Sequence, residues 1–159
     1  MNSGLRCKQH CPGFTLLELL IVLVISGILL GAVTLNFTLG EREWLRQEAR
    51  RIALLLQMAR DEAIVRDRPI SFVLDEYRYR FLIRQKTKWE LLKDDPVWRE
   101  REFAYSPLSL TLVPAMAIQV PITILFGREP VNTPFVLTLS LHGQSASVIA
   151  DGLGNFQVK

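Results

Sequence analysis

Glu18 is a carboxylate at the mouth of an apolar run: Gly13 stands five residues before it, and residues 19–40 carry no charge. An ionised carboxylate costs on the order of 3 kcal/mol at a bilayer centre and less near the interface, so it normally marks a partner. Elsewhere the chain has little to catalyse with. Both cysteines, Cys7 and Cys11, precede the apolar run, and His142 is the one histidine after residue 13. Beyond that residue, cysteine nucleophiles, Cys-rich metal sites and multi-histidine zinc sites are excluded. His142 stands before Gly143 between two predicted strands and reads as a hairpin turn. Asp94-Asp95 and Asp75-Glu76 are adjacent pairs, whose side chains diverge rather than converge on a substrate. A calcium loop drawing on Asp94, Asp95 or Asp151 lacks regular ligand spacing, and there is no phosphate-binding glycine loop. No catalytic residue, metal or cofactor is expected.

The element that carries Glu18 is long. At ~1.5 Å per residue, a helix over residues 19–40 spans ~30 Å, one bilayer core. That is too long for an ordinary secretory signal, and "GAVTLNF" after it offers no small-residue cleavage site. A lipoprotein signal would put its cysteine after the run, whereas Cys7 and Cys11 lie before it. Arg6 and Lys8 flank one side, while Glu41, Arg42, Glu43 and Arg46 cancel on the other, which places the N-terminus in the cytoplasm. A retained membrane helix is therefore expected. The 159 residues are 49% hydrophobic and 22% charged, enough for one domain with a modest core. The formal net charge of +3 drops to +1 without Arg6 and Lys8, which is weak grounds for a nucleic-acid partner. Beyond residue 13 no intramolecular disulfide is possible, so stability must come from burial or assembly.

Leu45, Ala49, Ile52, Ala53, Leu56, Ala59 and Ala63 recur at spacings of three and four, a helical apolar stripe. Glu43, Arg46, Gln47, Arg50, Arg51, Gln57, Arg60 and Asp61 fall on other faces, and Glu62 pairs with Arg66 at i,i+4. Pro69 disfavours helical geometry at Arg68 and marks the end. One helix of about fifty residues is expected, with two helices parted near residues 36–40 as the alternative. Period-two strands follow: residues 70–74, 77–84, 89–92, 119–126, 135–141, 145–150 and 156–159, with turns at Asp75-Glu76, Asp94-Asp95-Pro96, Ser106-Pro107 and 151–155. In the second strand Tyr77, Tyr79, Phe81 and Ile83 share one face and Arg78, Arg80 and Arg84 the other. A long helix followed by antiparallel strands implies an α+β domain whose sheet buries the helical stripe.

Gly13-Phe14-Thr15-Leu16-Leu17-Glu18, behind a short basic leader and before an apolar run, resembles the class III signal of type IV pilins and pseudopilins. The resemblance implies a pilin-like fold, cleavage after Gly13 by a prepilin peptidase, methylation of Phe14, and an assembly role for Glu18. Cutting before Phe14 frees an α-amine of pKa near ~8, mostly protonated at neutral pH, and Glu18 follows one helical turn later. In the family the glutamate meets a neighbouring subunit's amine, which offsets the desolvation of both charges. "ARRIALLLQMARDEAI" and the tail "ITILFGREPVNTPFVLTLS…VIADGLGNFQV" are similar to the minor pseudopilin H group of type II secretion and to FimT-like minor pilins. Phe126-Gly127-Arg128-Glu129-Pro130 departs from that pattern, which would put proline before glycine.

The organisation implied is a leader at 1–13, a membrane and assembly half-helix at 14–40, an amphipathic half-helix at 41–68, and a periplasmic β head at 69–159. Implied partners are other major and minor pseudopilins, the prepilin peptidase, the inner-membrane assembly platform and the lipid bilayer. The role would be structural, near the tip of a periplasmic pseudopilus that supports export of folded proteins. A FimT-like pilus subunit that binds DNA is the alternative, and a signal-anchored periplasmic enzyme or binding protein that does not assemble is a third. Arg78, Arg80, Arg84, Lys86 and Lys88 could contact phosphates. A solvated strand face explains the same residues more simply, so nucleic acid is not expected.

Overall fold

The computed structural model describes residues 15–93, 95–114 and 121–159, with the side chains of residues 32–39 outside that description. The chain divides into two units, one ending at Phe37 and one running from Thr38 to Lys159. A single helix, α1 (Leu16–Val65, 50 residues), is continuous through residues 36–40, so the two-helix alternative is not realised. It stops at Val65, short of the residue-68 end that Pro69 suggests. Asp67 adopts a left-handed conformation (φ 52°), and the N–H groups of Asp67 and Arg68 donate to the carbonyls of Ile64 and Ala63. That is a Schellman closure with Asp67 in the place glycine usually takes.

In the second unit the predicted stripe is the buried one. Leu45, Ala49, Ile52, Ala53, Leu56, Ala59 and Ala63 are all at most 6% exposed, joined by Leu55 at 6%. Ala49, Ala53, Ala59 and Ala63 are the small members of this stripe. The larger Leu and Ile side chains each contribute about 1.5–3 kcal/mol on full burial.

Among the described residues nine strands form two antiparallel sheets: β1 (Ile70–Leu74), β2 (Arg78–Gln85), β3 (Lys88–Leu91), β4 (Arg101–Glu102), β5 (Ser109–Val113), β6 (Ile122–Phe126), β7 (Phe135–Leu141), β8 (Gln144–Ala150) and β9 (Phe156–Val158). The first sheet runs β3-β2-β1-β6, with β4 also paired to β2; the second runs β5-β7-β8-β9. The α+β class and most strands agree with the sequence reading. The short β4 and edge strand β5 are additional. Of the strand expected at residues 119–126, the portion before residue 121 lies outside the described residues, as does Asp94 of one expected turn.

Register explains the core of the first sheet. Ile70 lies between Ile83 and Phe126, Phe72 between Phe81 and Ile124, and Leu74 between Tyr79 and Ile122. All nine are buried, so three layers of facing side chains pave one face. Phe72, Tyr79 and Phe81 sit at ring separations of 5.0–6.4 Å, and Trp98 and Phe103 extend the cluster. Tyr77, expected on this face, lies before the strand and is 55% exposed. The second sheet contributes Phe135, Leu137, Leu139 and Leu141 with Ala146, Val148 and Ala150. Its hairpin is the two-residue turn expected at His142-Gly143, with φ of 46° and 82° and Leu141 paired to Gln144. Positive φ at both turn positions is the geometry that matches strand twist.

Candidate functional site

The start of α1 is built by Thr15 and Glu18. The Glu18 N–H donates to Thr15 Oγ1 at 3.2 Å, and the Leu19 N–H donates to the Thr15 carbonyl at 3.2 Å. Thr15 is thus the N-cap and Glu18 the third helical residue, the T-x-x-E spacing of a capping box. A carboxylate in the first turn also faces the positive end of the helix dipole. The T-x-x-E spacing is legible in the sequence, but the reciprocal carboxylate bond of a capping box is not made among the described residues. The carboxylate itself makes no hydrogen bond or ion pair among the described residues and is exposed. Gly13 and Phe14 lie outside the described residues.

Around and after Glu18 the first helical unit presents apolar side chains in every direction. Leu16, Leu17, Leu19, Leu20, Ile21, Val22, Leu23, Val24, Ile25, Ile28, Leu29 and Leu30 are all exposed, none less than 47%. A helix apolar all round belongs inside something other than water. Among the described residues no helix is long and apolar enough to cross a membrane. The apolar run read from sequence continues through residues 32–39, whose side chains are not described.

The second unit holds its helix to the sheets through polar anchors as well as the stripe. Glu48 is only 5% exposed, and its two oxygens accept from Tyr79 Oη at 3.1 Å and Arg51 Nη1 at 2.8 Å. Burial, reinforced by the Glu48 charge and hydrogen bond, pushes the Tyr79 phenol well above its usual range. Arg60, expected on a solvent face, is instead a staple. Its Nη2 donates to the carbonyls of Pro130 at 2.6 Å and Leu153 at 3.1 Å, and its Nη1 meets Asp61. Gly154 lets this happen, since a Cβ there would lie 2.5 Å from Arg60 Nη1. The same loop is closed by Asp151, which accepts from Leu153 and Asn155 N–H and from Asn155 Nδ2; these bonds hold its carboxyl below the ordinary range.

A model of the prokaryotic N-terminal methylation motif matches residues 8–34. A second, of the type II transport protein GspH, matches residues 48–154, well over half the chain. The chain belongs to the GspH family. Two relatives named type II secretion system protein H are each 34% identical. That of Aeromonas hydrophila aligns over 94 residues, 57% of this chain and 51% of the relative. That of Pseudomonas aeruginosa aligns over 108 residues, 63% of this chain and 62% of the relative. The match thus spans between half and two thirds of either relative. The fold is that of the minor pseudopilin EpsH from the type 2 secretion system of Vibrio cholerae (TM-score 0.58, 19% identity, 72% of this chain and 95% of that one). It is also that of the type IV minor pilin FimU of P. aeruginosa (TM-score 0.56, 18% identity, 75% and 90%). The chain is thus a GspH-family protein with a pilin-like fold.

The GspH-matched region carries the polar anchors just described. His142 Nδ1 lies 3.1 Å from Glu41 Oε1, and a small cavity beside it is lined by Ser106, Ser109 and Ser140. Among the described residues none of these hydroxyls is hydrogen-bonded to His142. Asp75 turns its carboxylate onto the N–H groups of Tyr77 and Arg78, holding the β1–β2 turn. Among the described residues no group of three or more His, Cys, Asp or Glu side chains converges as metal ligands.

Proposed function

We propose that the chain is the precursor of an assembling subunit, cut after Gly13 by a prepilin peptidase, methylated on Phe14, and docked through Glu18. The observation that carries this reading is the Glu18 carboxylate, without a partner among the described residues, in the first turn of a helix whose described first half is apolar all round. Cleavage before Phe14 creates an ammonium one helical turn away, and a neighbouring subunit's ammonium is the complement that Glu18 lacks among the described residues. The methylation-motif match supports the processing step.

In this reading residues 1–13 are the leader and residues 14–40 the half-helix that waits in the inner membrane and later packs among other pseudopilins. Residues 41–68 and 69–159 form the periplasmic head, with the N-terminus cytoplasmic before cleavage. The assembly platform in the inner membrane recruits the mature subunit into a periplasmic pseudopilus, where it sits near the tip and supports export of folded proteins. Its work is structural rather than catalytic.

The experiment combines intact mass of membrane-extracted protein with cross-linking of assembled pseudopili. The native chain should lack residues 1–13 and carry a methyl group on Phe14. Glu18→Ala should be processed normally but fail to enter pseudopili, and secretion should fall with it. Normal incorporation of Glu18→Ala would sink the amine-pairing account, and a retained leader would sink the pseudopilin reading. The likeness to FimU favours a second reading, a subunit of a type IV pilus. Deleting the gene separates the two: lost protein secretion supports the first, and lost pili with intact secretion supports the second.

A further inference from the structure

A cationic cavity of about 330 Å³ lies where three strands of the first sheet end together, lined by Arg68, Arg84, Lys86 and Arg128 with Asp67 as its one acid. We propose that this cavity binds a phosphoryl group, supplied either as free phosphate or as the phosphate ester of a lipid headgroup.

The placement follows from register. Ile70 at the start of β1 pairs with Ile83 near the end of β2 and with Phe126 at the end of β6. The residues just beyond this row therefore meet at one pole of the sheet. Arg68 comes from the segment entering β1, Arg84 and Lys86 from the end of β2, and Arg128 from the loop leaving β6. Arg84 is fixed there by its own N–H, which donates to the Pro69 carbonyl at 2.9 Å. Lys86 sits at a left-handed turn position (φ 52°), as does Asp67 on the helix side.

The cations are not consumed by the fold. Arg128 lies 3.5 Å from Asp67, but Arg68, Arg84 and Lys86 make no ion pair among the described residues. Nor are they needed to cap α1, because Arg66, Arg68 and Asp67 N–H groups already take the carbonyls of Glu62, Ala63 and Ile64. Glu129 follows Arg128 in sequence but does not line the cavity. Four like charges facing one small cavity repel one another, and that repulsion is relieved by an anion of more than one charge.

The chemistry selects the anion. Guanidinium forks match phosphate oxygens two at a time, and three of them with one ammonium suit a compact group carrying two charges. The cations converge on one cavity instead of tracking a groove, and no aromatic side chain lines it for base stacking, which argues against a nucleic-acid strand.

The test is calorimetric titration of the full chain in non-ionic detergent at low ionic strength, with inorganic phosphate, glycerol 3-phosphate and a single-stranded oligonucleotide as probes. Saturable binding of both small phosphates is expected. The exposed double variant Arg84→Gln/Lys86→Gln should weaken it by on the order of tenfold or more, with unchanged helical circular dichroism. Asp67→Asn should tighten it by roughly threefold, the size of one exposed charge interaction. A merely structural role for these residues would not produce that opposite sign. Tighter binding of glycerol 3-phosphate than of phosphate would assign the headgroup ester, and the reverse would assign free phosphate. The proposal is overturned if neither small phosphate saturates, if the variants leave binding unchanged, or if only the oligonucleotide binds.

Discussion

Glu18 and Glu48 lie on one helix and meet opposite surroundings. Glu48 is 5% exposed, with one oxygen on the Tyr79 hydroxyl and the other on Arg51. Glu18 is exposed, and its carboxylate has no partner among the described residues. Their neighbours differ in the same sense. Around Glu48 the helix is apolar on one side only, and that side is covered by the two sheets. Around Glu18 it is apolar on every side, and those side chains remain exposed. The second half of the helix completes its interactions inside the chain, and the first half leaves them for something else. A carboxylate on a helix is thus part of the fold when, like Glu48, it is buried among partners of its own chain.

The strongest way to break this contrast is at Glu18. If its partner is a neighbour's ammonium in an apolar bundle, Glu18→Ala removes one side of a desolvated pair, worth about 3–5 kcal/mol at each contact. Incorporation into pseudopili, followed by cross-linking, should fall by orders of magnitude while thermal stability of the chain is unchanged. The covered side of the second half offers the next largest effect. Leu56→Ala should cost about 2–5 kcal/mol in urea unfolding because Leu56 is fully buried. Leu54→Ala, on the face left 64% exposed, should stay within about 0.5 kcal/mol. Equal costs at the two positions would erase the one-sidedness.

Tyr79→Phe probes the internal pair and should cost about 1–3 kcal/mol, since Glu48 keeps only Arg51. It also has a pH signature. The folded state holds the Tyr79 proton more tightly than the unfolded chain, whose phenol titrates at the ordinary 10.0. The associated stability is therefore complete below that pH and is lost as pH rises above it. Urea midpoints should hold up to about pH 10 and fall above it in the native chain, and fall less in Tyr79→Phe. The smallest effect belongs to the cap: Thr15→Ala should cost about 1 kcal/mol. It should appear as faster amide exchange over the first turn of α1, with no change in urea midpoint.

Much of this was legible in the sequence, and the parts that were not have a common cause. The stripe from Leu45 to Ala63 follows the helical period, and all seven of its residues are buried as expected. The His142-Gly143 turn follows from residue types at adjacent positions. Glu48 escaped because a stripe reading assigns every charge to solvent, although a strand that turns Tyr79 inward creates a hydroxyl in need of a partner. Arg60 escaped for the same reason: its acceptors, Pro130 and Leu153, are 70 and 93 residues away. β5 is an edge strand between prolines, and β4 is only two residues long, too short for any period to register. The cationic pole needed the registers of three strands at once. Local rules reached local features, and long-range pairing hid the rest.

Arg60 and its loop have a temporal consequence. The helix leaves the ribosome first, whereas the carbonyl of Leu153 and strands β7–β9 leave last. At about 5–20 residues per second, the sticky side of residues 45–63 waits several seconds for its cover. During that interval the apolar stripe of residues 45–63 has no cover from the strands that bury it in the finished fold.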